Sequence, residues 1–467
     1  MLEQTVTRKT QLSILAPGLL AFIGILVETS MNVTFPTLIA EFHEKLATVQ
    51  WLTTGYLLLV TLVMGTTAYA IKRFDARTIF RTAIFMVLIG TLLCAAAPNF
   101  WVLLIGRLAQ AFATGFATPL MFHLIMSSVP EHRLGVYVGI ASMIISFAPA
   151  LGPTYGGVMN QLLSWRAIFW CALPLIVLVA LLGERTITIK ASHKNGAFDF
   201  GGLGLMTVIF ASLVWAFNQA GLHGFTSSQF GLWLAVAIVA ILPQIYHART
   251  GHRQLLDWRI LKRPIIRLQL INYFFFQFIN IGISFVIPIF AENVLGANSL
   301  TAGMILFPGA LLGACLGPVA GTVYDHKGLP LPLLFANGFV LLSVSLFTIF
   351  TDQLNAGLLA IFFVLLRLGF NFGFGNLMSD ASTHVSLENK ADQNSLFSMM
   401  QQYAGSIGTG VLAAVISSQE RHHDNIAAAT LAGGHIDFMI LIGLALIAAI
   451  AGVTAMGKIN KSVSQGG

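Results

Sequence analysis

Four ionisable residues stand deep inside otherwise apolar stretches of this chain: Glu28, Arg107, His123 and Arg367. A charge at the centre of a hydrocarbon layer costs at least ~3 kcal/mol, so a group kept there needs a partner or a task. Glu28 is the one carboxylate among the four. A glutamate drawn out of water can take and give up a proton nearer neutrality than its usual ~4.3, which suits a group that loads H+ on one face and releases it on another. Asn32 lies one helical turn on, on the same face. The plainer reading of Glu28 is a structural ion pair with an arginine. Arg107 and Arg367 can act as its counter-charges or as clamps on backbone carbonyls. His123 stands 16 residues beyond Arg107, about 160° around a helix, and reads as a packing residue. A lone imidazole makes no metal site.

The elements that must position these groups follow from composition. Of 467 residues, 56% are hydrophobic and 9% charged, where a soluble domain carries roughly 25% charged residues. Such a surface does not stay dissolved, so the chain reads as an all-α polytopic membrane protein. Cys94, Cys171 and Cys315 sit in apolar runs and read as small buried hydrophobes. Fourteen runs are long enough to span a bilayer: 12–39, 49–70, 79–97, 101–127, 135–160, 166–183, 201–221, 229–246, 268–292, 300–323, 330–350, 356–378, 394–418 and 438–457. An even number of spans puts both termini on one face. With that face cytoplasmic, 20 of the 25 Lys and Arg residues fall inside and three, Lys45, Arg166 and Arg421, outside. This positive-inside bias accounts for the net charge of +7 without nucleic acid. The basic stretch 249–267, with Trp258 and several aliphatic residues, reads as an amphipathic segment on anionic lipid headgroups. His422 and His423, in the expected outer loop 419–437, read as solvated.

The two halves of the chain repeat one another. The second span ends in Gly65-Thr-Thr-Ala-Tyr-Ala-Ile-Lys72-Arg73-Phe-Asp75-Ala-Arg77, and the tenth in Gly317-Pro-Val-Ala-Gly321-Thr-Val-Tyr-Asp325-His-Lys-Gly328. Two spans after each turn comes a buried arginine, in Gly106-Arg107-Leu and Leu366-Arg367-Leu. The arrangement divides the chain into a six-helix bundle at 1–185, two inserted helices with a basic linker at 186–263, and a second six-helix bundle at 264–467. Duplicated halves point to a transporter with its site at their interface.

On these motifs the sequence resembles the major facilitator superfamily, in its fourteen-helix drug:proton antiporter branch. Gly139 with Ala148-Pro149-Ala-Leu-Gly152-Pro153-Thr-Tyr-Gly156-Gly157 looks like the antiporter motif of the fifth span. Arg107-Leu-Ala-Gln110 through Gly115 looks like the fourth-span motif, and Glu28 through Pro36 the first-span motif with its acid displaced by one position. Arg73, Arg77 and Asp325 match the gating turns, but Lys72 stands where an aspartate is usual. The resemblance implies a central cavity lined by spans 1, 4, 9 and 12, into which Glu28, Arg107 and Arg367 face. Measured from the outer ends of their runs, Glu28 and Arg367 lie about 16 Å deep and Arg107 about 9 Å. Tyr56, Gln110, Gln277, Asn280 and Asn371 are candidate polar contacts in an otherwise greasy chamber.

The expected function is proton-coupled antiport that exports lipophilic cationic or zwitterionic drugs by alternating access. The expected location is a bacterial plasma membrane, with both termini cytoplasmic. Its partners are then small lipophilic molecules, H+ and membrane lipids. No phosphate-binding loop, nucleophile motif or metal-ligand set occurs, so neither ATP, a cofactor nor enzymatic chemistry is expected. A dedicated metabolite or lipid exporter or symporter of the same fold is the alternative within transporters. A polytopic membrane enzyme using His123 or His384 is the alternative from another class.

Overall fold

Apolar runs without a water contact must satisfy their backbone groups internally, and this chain does so with helices. The computed structural model describes residues 6–44, 46–49, 51–190, 197–250 and 255–465. The amino-terminal part contains α1 (Arg8–Asn32), α2 (Phe35–Phe42), α3 (Leu46–Val49), α4 (Trp51–Arg73), α5 (Ala76–Ala95), α6 (Phe100–Ser128), α7 (Leu134–Leu162) and α8 (Ala167–Thr186). Then come α9 (Phe200–His223) and α10 (Ser228–Thr250). The carboxyl-terminal part holds α11 (Pro264–Asn293), α12 (Ser299–Lys327), α13 (Pro330–Ile349), α14 (Ala356–Thr383), α15 (Lys390–Glu420) and α16 (Ile426–Gln465). Thirteen helices among the described residues are long and apolar enough to cross a membrane. The end of the bundle carrying Arg73, Arg133, Lys327 and Lys390 is here called the basic end.

Three helices depart from the expected spans. The first run, read as continuous over 12–39, breaks after Asn32. Val33 and Thr34 cap α1, and α2 restarts with Pro36 in its first turn, where the missing N–H costs nothing. Glu28 therefore lies one turn from the end of α1. The expected span 394–418 is carried by α15, which starts earlier, at Lys390, and holds Asp392, Gln393, Asn394, Ser395, Ser398 and Gln401, all buried. It tolerates them because it packs against α4, α6, α9, α11 and α16. The third departure is α16, which begins at Ile426 rather than 438 and so brings Asp437 inside a helix.

The two six-helix groups meet along two seams, α7 against α12 and α4 against α15. At the first, Gly135 faces Gly321 and Gly139 faces Gly317, backbone against backbone. A side chain at any of these four positions would collide with the opposite helix. The inserted pair sits beside the second seam. Its α9 packs on α15 and touches α4, through Phe210 on Tyr403 at 4.2 Å and Trp215 near Trp51 at 6.0 Å between ring centroids. His247 of α10 bonds Asp199 at the start of α9 at 2.8 Å, closing the pair on itself. α10 packs almost wholly on α9 and leaves Leu232, Val239, Leu242 and Tyr246 exposed, as a lipid-facing helix should.

The basic linker differs from its expected form. Residues 251–254 lie outside the described residues. Beyond them Leu255, Leu256 and Ile260 are buried in protein rather than offered to lipid, while Arg259, Lys262 and Arg263 are exposed. His422 and His423 are exposed in the short turn between α15 and α16.

Candidate functional site

The amino-half site is built where α1, α4 and α6 converge. Gly24 allows α1 to lie against α6, because a Cβ there would collide with Thr114. Tyr56 of α4 reaches the same point and shares a hydrogen bond with the Thr114 hydroxyl at 2.7 Å. Arg107 is fully buried beside them, its guanidinium 4.2 Å from the centre of the Tyr56 ring. Its Nη1 donates to Gln110 Oε1 at 2.8 Å, and Gln110 Nε2 donates to Thr91 of α5 at 2.9 Å. Arg107 Nε and Nη2 have no hydrogen-bond partner. Glu28, 9% exposed, is close enough for the Arg107 charge to act on it, yet the two make no ion pair. The side chain of Asn32 lies outside the described residues.

The carboxyl half repeats this logic with different atoms. Arg367 of α14 is buried, its Nη1 donates to Asn280 Oδ1 of α11 at 2.7 Å, and its Nε is left without a partner. Asn280 Nδ2 in turn points to Gln277 Oε1 at 3.5 Å. Asn371 donates back to the Arg367 carbonyl at 2.9 Å, leaving its own Oδ1 unpaired. Each half thus holds a buried arginine with one nitrogen on an amide oxygen and another unspent. Charged donors of this kind bind acceptors strongly when water is excluded.

The antiporter-motif residues lie where α7 passes between α1 and α12. A Cβ on Gly156 would fall 2.8 Å from Ser30 Cα, and one on Gly152 would collide with Thr29. The Ser30 hydroxyl donates to the Gly152 carbonyl at 2.9 Å. Ala148 is fully buried, and Pro149 and Pro153 both lie inside α7. Gly157 departs from its neighbours, with nothing within 4 Å of where a Cβ would stand. The close glycines press on Thr29 and Ser30, one and two residues after Glu28, so α7 fixes the stretch of α1 that carries the acid.

The gating residues separate. Asp325, at the end of α12, accepts the Gly135 and Val136 N–H groups of α7 at 2.8 and 3.0 Å and caps that helix across the seam. Arg77 pairs within its own half. With Arg81 it binds Glu184, tying α5 to α8 within one half. Arg73 is exposed at the end of α4. His123 is half-buried on α6 and away from the arginine cluster.

Sequence reasoning missed three buried acids, because each stands just outside an apolar run yet inside a helix. Asp392 pairs with Lys72 across the second seam. Asp380 accepts from Gln269 at 2.5 Å and lies 3.4 Å from Tyr324 Oη. Asp437 is fully buried with neither oxygen partnered. Glu28 is therefore not the only acid within the helices. An acid in the first turn of a helix, as at Asp392, is a readable start signal that would have extended α15.

The pattern of the Major Facilitator Superfamily matches residues 18–409. The chain belongs to that superfamily. It is 31% identical over 413 residues to the lincomycin resistance protein LmrB of Listeria innocua, covering 87% of each chain. Over 412 residues it is 27% identical to the multidrug resistance protein B homolog of Mycobacterium tuberculosis, covering 86% of this chain and 75% of that one. Its fold matches the proton:xylose symporter XylE with a TM-score of 0.68 at 14% identity, over 96% of this chain and 95% of that one. This facilitator is a multi-pass membrane transporter and not an enzyme.

Proposed function

We propose that this facilitator is a proton-coupled antiporter that exports lipophilic, cationic or zwitterionic drugs from a bacterial cell across its plasma membrane. Its basic end and both termini face the cytoplasm, following the Lys and Arg asymmetry. The observation that carries the reading is the Glu28 environment. It is a membrane-embedded acid with no ion pair among the described residues, within the field of an arginine two of whose nitrogens have no hydrogen-bond partner there. Such an acid is free to exchange a proton or a cationic ligand. The resistance roles in the names of the related proteins support drug cargo.

In the proposed cycle Glu28 takes a proton while the cavity faces outward, which weakens its hold on a cationic substrate. After the halves rock, it gives that proton to the cytoplasm and accepts new cargo. Energy comes from the proton gradient, and the membrane potential adds ~2.3 kcal/mol per net charge moved per 100 mV. Glu28 within the field of Arg107, with Arg367 buried in the other half, disfavours dications. The test is ethidium accumulation in cells expressing the protein. Lowered accumulation that a protonophore abolishes supports the reading, and export that survives the protonophore overturns proton coupling.

A further inference from the structure

The two seams close by opposite electrostatics. On the first, a carboxylate at the end of α12 caps the amino terminus of α7, the favourable sign for a helix dipole. The repeat-related position at the end of α4 is Lys72, which cannot cap a helix amino terminus, because donor would meet donor. Across that seam α15 supplies its own first-turn acid instead. Asp392 is fully buried, and its Oδ2 pairs with Lys72 Nζ. Its other oxygen, Oδ1, accepts the backbone N–H of Asp257 at 3.1 Å.

Asp257 belongs to the linker that follows the inserted helices. That linker buries Leu255, Leu256 and Ile260 and is tied to the carboxyl half by Arg263 donating to the His384 carbonyl. The linker backbone therefore holds one oxygen of Asp392 so that the other is presented to Lys72. Asn394, two residues on, reaches across to the Pro119 carbonyl of α6 at 2.5 Å and closes the seam next to the pair.

We propose that Asp392 is a positioning residue of the gate, a charge-inverted latch preset by the Asp257 N–H, through which the inserted segment sets how firmly the basic end closes. The proposal rests on the transport reading, since a latch acts only if the halves part. It gives the inserted segment a task beyond packing. Opening the basic end must separate Lys72 from Asp392, while the Asp257 contact, made within the carboxyl-half body, travels with α15. A buried acid stripped of its cation is strongly unfavourable, so the latch adds to the barrier against opening without cargo.

The test uses full-length protein in inside-out vesicles, with Cys94, Cys171 and Cys315 replaced by serine and a reporter Met143→Cys. Met143 lies on α7, its Cβ 3.7 Å from where a Cβ on Gly317 would stand, inside the closed seam. The readouts are the labelling rate with a membrane-impermeant maleimide and ethidium transport. Asp392→Asn and Lys72→Asp are expected to raise labelling on the order of tenfold. The swapped double variant Lys72→Asp with Asp392→Lys is expected to bring labelling below that of either single variant but not to wild type, since a lysine at 392 cannot accept the Asp257 N–H. Asp257→Pro removes the N–H at a residue whose φ of −78° already suits proline, and is expected to raise labelling. Asp257→Ala keeps the N–H and leaves labelling unchanged. Wild-type labelling in Asp392→Asn, no rescue by the swap, or equal effects of Asp257→Pro and Asp257→Ala overturn the proposal. Wild type that neither moves ethidium nor changes its labelling with ethidium overturns the transport reading instead, since the charge-swap pattern is read without transport.

Discussion

Gly156 and Gly157 are adjacent in one motif, yet the structure assigns them opposite tolerances. An alanine Cβ at Gly156 would sit 2.8 Å from Ser30 Cα and 2.9 Å from Ser30 C, where ordinary contact is 3.4–4 Å. Both neighbouring atoms are backbone, so no rotamer change relieves the clash. α1 and α7 must separate by roughly 0.5–1 Å along the stretch that holds Glu28, and such overpacking costs about 1–3 kcal/mol. At Gly157 nothing lies within 4 Å, so alanine there is expected within ~0.5 kcal/mol of wild type. The assay is thermal unfolding in detergent in a background with Cys171 and Cys315, both exposed, replaced by serine, followed by a thiol-reactive dye on Cys94, which is fully buried in the folded protein. Ethidium transport by the same preparations is the second readout. Gly156→Ala should melt several degrees lower and transport more slowly, with Gly157→Ala like wild type on both counts. Equal behaviour of the two variants would refute the packing argument.

Other substitutions probe single contacts. Tyr403→Phe removes a buried hydroxyl that has no partner, so its stability should equal or exceed wild type by up to ~1 kcal/mol, whereas Tyr56→Phe loses the Thr114 bond and should cost about 1 kcal/mol. Asn280→Leu strips Arg367 of the oxygen that receives Nη1 and should destabilise the carboxyl half by about 3 kcal/mol in the same melting assay. Glu41, at the outer end of α2, has its pKa lowered: burial pushes it up, but hydrogen bonds from Trp165 and Arg166 and the Arg166 charge more than offset that. Its contribution is present above about 4.5 and lost as pH falls below that value through the depressed folded-state pKa. Melting temperature measured from pH 6 to pH 3 should therefore fall less for Glu41→Gln than for wild type.

The helices, the two-part repeat and the buried arginines were legible because each rests on local composition. Hydropathy alone does not locate the break after Asn32, since a proline that starts a new helix sits among residues as apolar as those before it. It misses Asp380, Asp392 and Asp437 for a related reason: a helix outlasts its apolar run where a neighbouring helix, rather than lipid, covers the polar turn. The Lys72–Asp392 pair spans 320 positions and follows only from how the two halves dock. Arg77 shows the converse limit. It fits the gating motif by position, and its ion pair is with Glu184 on a neighbouring helix of its own half, a contact that the motif does not show. The sequence places residue types; the seams decide which of them meet.

The most direct measurement of the central claim uses purified protein in liposomes that hold a pH gradient, with the gradient followed as ethidium is added. Wild type should dissipate it in proportion to ethidium moved, and folded Glu28→Gln should not. Equal dissipation by Glu28→Gln would contradict the assignment of proton exchange to Glu28, and no dissipation by wild type during ethidium movement would contradict antiport itself.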